Sequence, residues 1–279
     1  MTNITDNIAF ELAMEELEEK DIVLLFSSGL DSFLAYSILK RFYPAVNIRR
    51  LYFDLGGRYS NTEISFLNKI YPGEIEIRKN LSMGEIELEN AYLPNRNITL
   101  VSVAAALYQP DLILINGMKD DRAPDQDQLL FSHFSEVLAQ SLQKKIKVTS
   151  LFWNFEKSEV IKGYLENNPN DKFLLLNNTY SCFNENYVEE LIPIFKHSEQ
   201  GPGFDLIDEM NFPGCRNCRA CLRKICALTA ADIYVPFRDY HEVISMLNSV
   251  DKSIHPNRYE SIVKYLAFVI KKGANGGPC

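Results

Sequence analysis

Lysine and arginine are in the minority in this 279-residue chain, 29 against 37 aspartates and glutamates, for a formal charge of -8 and a pI near 5.2. That deficit argues against a protein held to nucleic acid mainly by counterion release, and makes small ligands the expectation. No stretch reaches the roughly 18 apolar residues of a membrane span. The acidic start MTNITDNIAFELAMEELEEKD lacks the cationic-then-apolar order of a signal peptide. A cytoplasmic protein without a membrane partner is therefore expected. Histidine is scarce: the four residues have no mutual spacing that suggests a site, and His133 reads as helix surface or packing. Internal repeats and low-complexity segments are absent. With 46% apolar and 24% charged residues, the chain is too ordinary to be disordered, and it is long enough for one large α/β domain plus a smaller appendage.

The apolar pattern alternates between strand and helix. Residues 7–20 have apolar positions three and four apart and predict a helix ahead of the main domain. DIVLLF (21–26) is a continuous apolar run bounded by SSG, as in a strand buried on both faces of a parallel sheet. Helical spacing follows over 32–44, then a strand over 48–54, a helix over 63–72 and a strand over 74–78. A helix over 98–110 leads into DLILING (111–117), and the pattern continues with a helix over 128–143, a strand over 145–152 and a helix over 158–168. This order predicts an α/β fold with a doubly wound parallel sheet and right-handed crossovers. Residues 183–214, with Pro, Gly and mixed charge, read as a loop-rich insertion, and the tail 273–279 (GANGGPC) as disordered.

FSSGLDS, Phe26 to Ser32, falls where the first strand hands over to the first helix. Backbone N–H groups and the helix dipole can hold an anion there. Ser27, Ser28 and Gly29 are small enough for close approach to a phosphate. The hydroxyls of Ser27 and Ser32 can donate to its oxygens, and Asp31 can hold Mg²⁺ or the turn itself. The loop has no P-loop lysine. It resembles instead the SGGxDS loop of the ATP pyrophosphatases (PP-loop enzymes), which bind the β,γ-pyrophosphate and release it intact. The bland alternative is a strand-to-helix turn capped by Ser and Asp.

Four of six cysteines are packed into Cys215, Cys218, Cys221 and Cys226; the others are Cys182 and Cys279. In a reducing compartment such clustering reads as metal ligation before disulfides. Cys215-x-x-Cys218-x-x-Cys221 supplies three thiols, and a structural zinc needs a fourth, for which Cys182 and Cys226 compete. Cys226 can equally lie on the buried side of a helix over LRKICALTAADIY.

Taken in order from about residue 22 to 225, these segments resemble the 7-cyano-7-deazaguanine synthase (QueC) family of PP-loop enzymes. The likeness rests on Ser27–Ser32, on FDLGGRYSNTE (Phe53 to Glu63), on Pro94, Arg96 and Asn97, on Lys157 and Glu159, and on Thr179, Tyr180, Ser181 and Cys182. The last match favours Cys182 as fourth zinc ligand. There are departures. Ser28 stands where the family usually has Gly, and Gln126 and Asp127 follow Pro124 and Asp125 where it has Cys and Arg. The stretch 183–214 is much longer than the family's usual gap. They imply a divergent member with an altered substrate or one serving defence or nucleic-acid modification.

The resemblance implies a PP-loop ATP pyrophosphatase fold (adenine nucleotide alpha-hydrolase-like) with a small C-terminal zinc-binding helical region. Its segments would be an N-terminal extension over 1–20, a nucleotide-binding domain over 21–178, and a zinc-binding helical region over 179–272. It implies an ATP-dependent ligase that adenylates a deazapurine carboxylate such as 7-carboxy-7-deazaguanine. The product would be an amide or nitrile, with release of AMP and pyrophosphate. Asp31, Arg96 and Lys157 would be catalytic; Ser27, Ser28, Gly29, Leu30, Asp31 and Ser32 would hold ATP; Asn97, Asp120 and Asp125 would touch the substrate. Asp121 and Asp127 complete an acidic cluster that reads equally as a solvated loop. Arg58, after two glycines, reads as solvated. The expected cofactors are a structural Zn²⁺ on Cys182, Cys215, Cys218 and Cys221, and ATP with Mg²⁺. A small-molecule substrate and a homodimer are expected, and a nucleic-acid or protein acceptor is not indicated. The competing readings are a relative that joins the activated acid to another amine, and a non-catalytic nucleotide- and zinc-binding module.

Overall fold

The computed structural model describes residues 17, 20–79, 81–88, 92–120, 125–182, 212, 214–235, 237, 239–248, 259–260, 262–264 and 266. Nearly all of the expected 7–20 helix, most of the 183–214 insertion and the 273–279 tail lie outside them. Two compact units divide the chain: residues 1–27 with 31–156, and residues 28–30 with 157–279.

The first unit holds one sheet of five parallel strands. They are β1 (Ile22–Leu25), β2 (Ile48–Phe53), β3 (Glu76–Arg78), β4 (Leu112–Leu114) and β5 (Lys147–Thr149), in the order β3-β2-β1-β4-β5. β1 pairs with β2 from Ile22↔Ile48 to Leu25↔Leu51, and with β4 from Ile22↔Leu112 to Leu24↔Leu114. Every residue of β1 and β4 is buried. This is why both read as unbroken apolar runs rather than alternations. The helices are α1 (Leu30–Phe42), α2 (Ser60–Ile70), α3 (Arg96–Tyr108) and α4 (Gln128–Leu142). Each strand and helix expected over residues 21–152 is present, with ends shifted by a few residues because fraying ends carry no periodicity.

One core packs α3, α4 and the sheet through Val23, Leu51, Val101, Ile113, Phe131 and Trp153. The Phe131 and Trp153 rings stack with centroids 6.5 Å apart, and the indole N–H donates to Thr149 Oγ1 at 3.2 Å. On β2, Arg50 is 7% exposed, its guanidinium lying 4.1 Å from the Tyr36 centroid and within 2.5 Å of Glu74 Oε2. The cation is tolerated there because it is paired and faces π-clouds.

The second unit contains α5 (Lys157–Asn167), α6 (Lys172–Asn177), α7 (Arg219–Ala230) and α8 (Tyr240–Asn248). α5 packs on α7. No described helix is long and apolar enough to cross a membrane.

Gly117 ends the chain segment leaving β4, and a Cβ there would overlap the Trp153 ring, with Cη2 2.6 Å away. Gly117→Ala should therefore lower stability by about 1–3 kcal/mol, the usual cost of forcing atoms into a filled core. Urea unfolding checks this; an unchanged midpoint would show that the indole has room to move.

Candidate functional site

In an open parallel sheet the ligand crevice opens at the carboxyl ends of the strands where the strand order reverses. Here that point lies beside β1, because β1 connects toward β2 on one side and has β4 on the other. The residue leaving β1, Phe26, donates its N–H to Leu51 O at 2.8 Å, and Asn116 beyond β4 donates its side-chain amide to Leu25 O at 2.6 Å. These bonds pin the strand ends from which the loop Phe26–Ser32 departs.

Within the loop the hydroxyls divide by burial. Ser32 is fully buried; its Oγ donates to Ser27 O at 2.8 Å and accepts the Ser27 N–H at 3.2 Å, closing the turn onto the start of α1. Ser28 is likewise buried and is engaged through Tyr180: Ser28 Oγ donates to Tyr180 O at 2.9 Å, and Tyr180 N–H donates to Ser28 O at 2.7 Å. Ser27, Gly29 and Asp31 remain partly exposed. The groups able to meet a ligand are thus Ser27, the backbone at Gly29 and Asp31. Ser28 and Ser32 shape the loop. Leu30 is buried as the first residue of α1.

Arg96 opens α3 after Asn95, which is left-handed at φ 57°. Arg96 is exposed, and a guanidinium fork is suited to gripping a carboxylate or phosphate. The next residue, Asn97, is buried and holds both oxygens of Asp125: its backbone N–H donates to Oδ2 at 2.8 Å and its side-chain amide to Oδ1 at 3.2 Å. A carboxylate at a helix N-terminus is favoured by the dipole, and this cap is the role the geometry displays for Asp125. Asp127 caps α4 in the same manner, its Oδ1 accepting from Leu129 and Leu130 N–H. Asp120 lies half-buried beyond β4, and Asp121 is outside the described residues.

Arg58 is more than a solvated side chain. Its backbone N–H and Nε bond Glu87 at 2.9 and 3.0 Å, Nη2 reaches Leu88 O at 2.8 Å, and the Glu87 side chain is 6% exposed. Two loops cross closely here, since a Cβ on Gly84 would overlap the Gly56 carbonyl.

The second unit carries Lys157, half-buried at the start of α5, and the cysteines. The sulfurs of Cys182, Cys215, Cys218 and Cys221 all lie within 4.8 Å of one another. Tetrahedral Zn–S bonds of about 2.3 Å place sulfurs ~3.8 Å apart, so small side-chain rotations close this set on an ion. Backbone N–H groups already point at the sulfurs: Cys215 at Cys182 Sγ, Cys218 at Cys215 Sγ and Cys221 at Cys218 Sγ, at 3.2, 3.3 and 3.5 Å. Gly214 lies against the group, and a Cβ there would meet Cys221 Sγ at 2.7 Å.

Hydrogen bonds from Cys182, Cys218 and Cys221 hold the Cys215 thiol well below the ordinary range, those with Cys215 and Cys218 push Cys182 up, and those with Cys182, Cys215 and Cys218 push Cys221 up. An ion held here would take the place of the thiol protons, since metal ligation requires thiolates. Cys226 is outside the set, buried on α7, its thiol pushed up to about 12 by burial.

Lys224, on α7, escaped the sequence reading. It is 3% exposed, and its ammonium donates to Thr179 O at 2.7 Å and Thr179 Oγ1 at 2.6 Å. Burial lowers its pKa to about 7, against the opposing pull of Cys221 and Cys182. The available signal was a lysine inside the buried run ICALT and its neighbours.

The model of the family described as queuosine biosynthesis protein QueC matches residues 70–232. A curated relative, the 7-cyano-7-deazaguanine synthase of Methanococcus aeolicus, is 23% identical over 175 residues, 58% of this chain and 64% of the relative. The match thus spans less than two thirds of that relative's length. Among solved structures, the U34-tRNA thiolase NcsA of Methanococcus maripaludis with its 4Fe-4S cluster aligns with a TM-score of 0.42 and 14% identity, covering 96% of this chain and 78% of that one. The NH3-dependent NAD synthetase of Campylobacter jejuni aligns with a TM-score of 0.34 and 15% identity, over 99% and 94%.

Purified without chelator, the protein should carry about one metal ion per chain, because a four-thiolate site contributes binding energy to folding. Cys218→Ser should lose the ion and unfold at lower temperature, whereas Cys226→Ser should keep it. Elemental analysis decides; full metal content in Cys218→Ser would remove that residue from the site.

Proposed function

Because the chain belongs to the QueC family, whose model spans residues 70–232, we propose that it is an ATP-consuming carbon–nitrogen ligase acting on a deazapurine carboxylate. The observation that carries the reading is the lysine-free loop Ser27–Ser32 at the carboxyl end of β1, beside the point of strand-order reversal. A carboxylate repels nucleophiles and offers no good leaving group. Its attack on the α-phosphorus of ATP forms a mixed acyl-phosphate anhydride and expels pyrophosphate. An amine then adds to the carbonyl carbon, AMP departs, and the amide forms with loss of one proton. A second ATP then reacts at the amide oxygen with loss of pyrophosphate, and departure of AMP and the two amide protons leaves a nitrile.

The roles follow from what each group offers. The Ser27 hydroxyl and the backbone at Gly29 donate to the departing pyrophosphate, and Asp31 holds Mg²⁺ carried with ATP. Arg96 presents a bidentate fork to substrate carboxylate or phosphate, and Lys157 a point charge to pyrophosphate. Asn97 and Asp125 act on the substrate through the start of α3, which they fix. Zinc is the proposed occupant of the four cysteines; a closed thiolate set leaves no open position, so its contribution is structural.

A second reading, transfer of the activated acid to another amine, draws on Gln126 and Asp127, which differ from the family's residues there. Since Asp127 caps α4, exchanging it for Arg would also cost about 1 kcal/mol of helix stability.

Incubation with ATP, ammonia and 7-carboxy-7-deazaguanine should yield AMP and pyrophosphate by chromatography, with the amide or nitrile seen by mass spectrometry. Asp31→Ala should lower turnover roughly a hundredfold or more if its carboxylate holds the metal of ATP. ADP and phosphate as the main products would falsify the assignment.

A further inference from the structure

Loop residues Ser28–Leu30 belong to the same compact unit as the four cysteines. The link is one short stretch, Thr179 to Cys182. At Tyr180 it is clasped to Ser28 by two bonds, one in each direction, at 2.9 and 2.7 Å. At Thr179 both the carbonyl and the hydroxyl are held by the buried ammonium of Lys224. At Cys182 it ends in the sulfur cluster. Ser28, Thr179, Tyr180, Cys182 and Lys224 are all buried, so water does not compete for these bonds.

From this geometry we infer that Ser28 and Tyr180 are positioning residues that couple metal occupancy at the cysteines to ATP affinity at the phosphate loop. The inference rests on the reading that this loop binds ATP. A metal ion on Cys182 fixes one end of the stretch, Lys224 fixes the other, and the clasp transmits that order to the Ser28 backbone. When the metal leaves, the clasp loses a fixed anchor and the loop must be ordered at the moment of binding. Ordering a single residue's backbone weakens binding roughly tenfold. Coupling between two binding equilibria is reciprocal, so bound ATP must tighten the metal site by the same factor.

The test is equilibrium competition for zinc between the full chain and a chromogenic chelator, with and without ATP supplied in excess magnesium at a level that saturates each protein. In the unaltered protein ATP should raise apparent zinc affinity roughly tenfold. In Ser28→Ala, which removes the hydroxyl half of the clasp, the factor should fall toward one while zinc content stays at one per chain. Ser28→Gly serves as the second variant if the alanine form does not fold. An unaltered factor in a folded Ser28 variant would mean that ATP protects zinc merely by stabilising the folded state, and would overturn the inference. So would a factor of one in the unaltered protein when calorimetry shows ATP bound. Calorimetry showing no ATP binding at all would instead sink the functional reading, and the inference with it.

Discussion

Burial of β1 on both faces, with β2 and β4 on its two edges, leaves the chain beyond Leu25 only one way out: past the carboxyl ends of its neighbours. The phosphate loop, the start of α1 and the pinning bonds from Phe26 and Asn116 are all consequences of that placement. A loop anchored at both ends by a buried strand and a helix pays little to hold its backbone donors in place, which is the condition for binding an anion without a lysine.

The same economy recurs in the second unit, with charge in place of geometry. A divalent cation held by four thiolates would leave a net negative charge in a buried place, and Lys224 lies close by, three residues after Cys221 on α7. Burial strips that lysine of much of its proton affinity, and the charges on Cys221 and Cys182 offset only part of the loss. Such partners outside the ligand set orient and tune a metal site as its ligands do. The Thr179 contacts give this lysine a second task, since they tie its ammonium to the stretch that runs to Cys182.

The strands and helices of the first unit were legible because continuous apolar runs and 3.6-residue spacing report burial directly. The loop 26–32 was legible as a place, between the first strand and the first helix, but not in its division of labour. Ser27 and Ser32 look alike in sequence, and only packing reveals that Ser32 spends its hydroxyl on the turn. Asp125 and Asp127 show the same limit, because a capping carboxylate and a substrate-facing one have one letter in common. Spacing alone left Cys182 and Cys226 in competition; the resemblance favoured Cys182, and the four sulfurs together include it. Arg58 with Glu87, and Lys224 with Thr179, join residues far apart in the chain through folding, which no local pattern reports.

Cys182 and Cys215 bring together the two ends of the stretch 183–214. In polymer terms an ion on the cysteines closes a ring, and the entropy of closing a ring grows only with the logarithm of its length, about 0.6 kcal/mol for each doubling. Lengthening the chain between these two residues would therefore cost little in closure entropy. Added sequence there leaves the coordinating atoms in register and charges the fold only for a larger ring. An ion held on the cysteines would act as a staple that makes variation in one segment nearly neutral for stability.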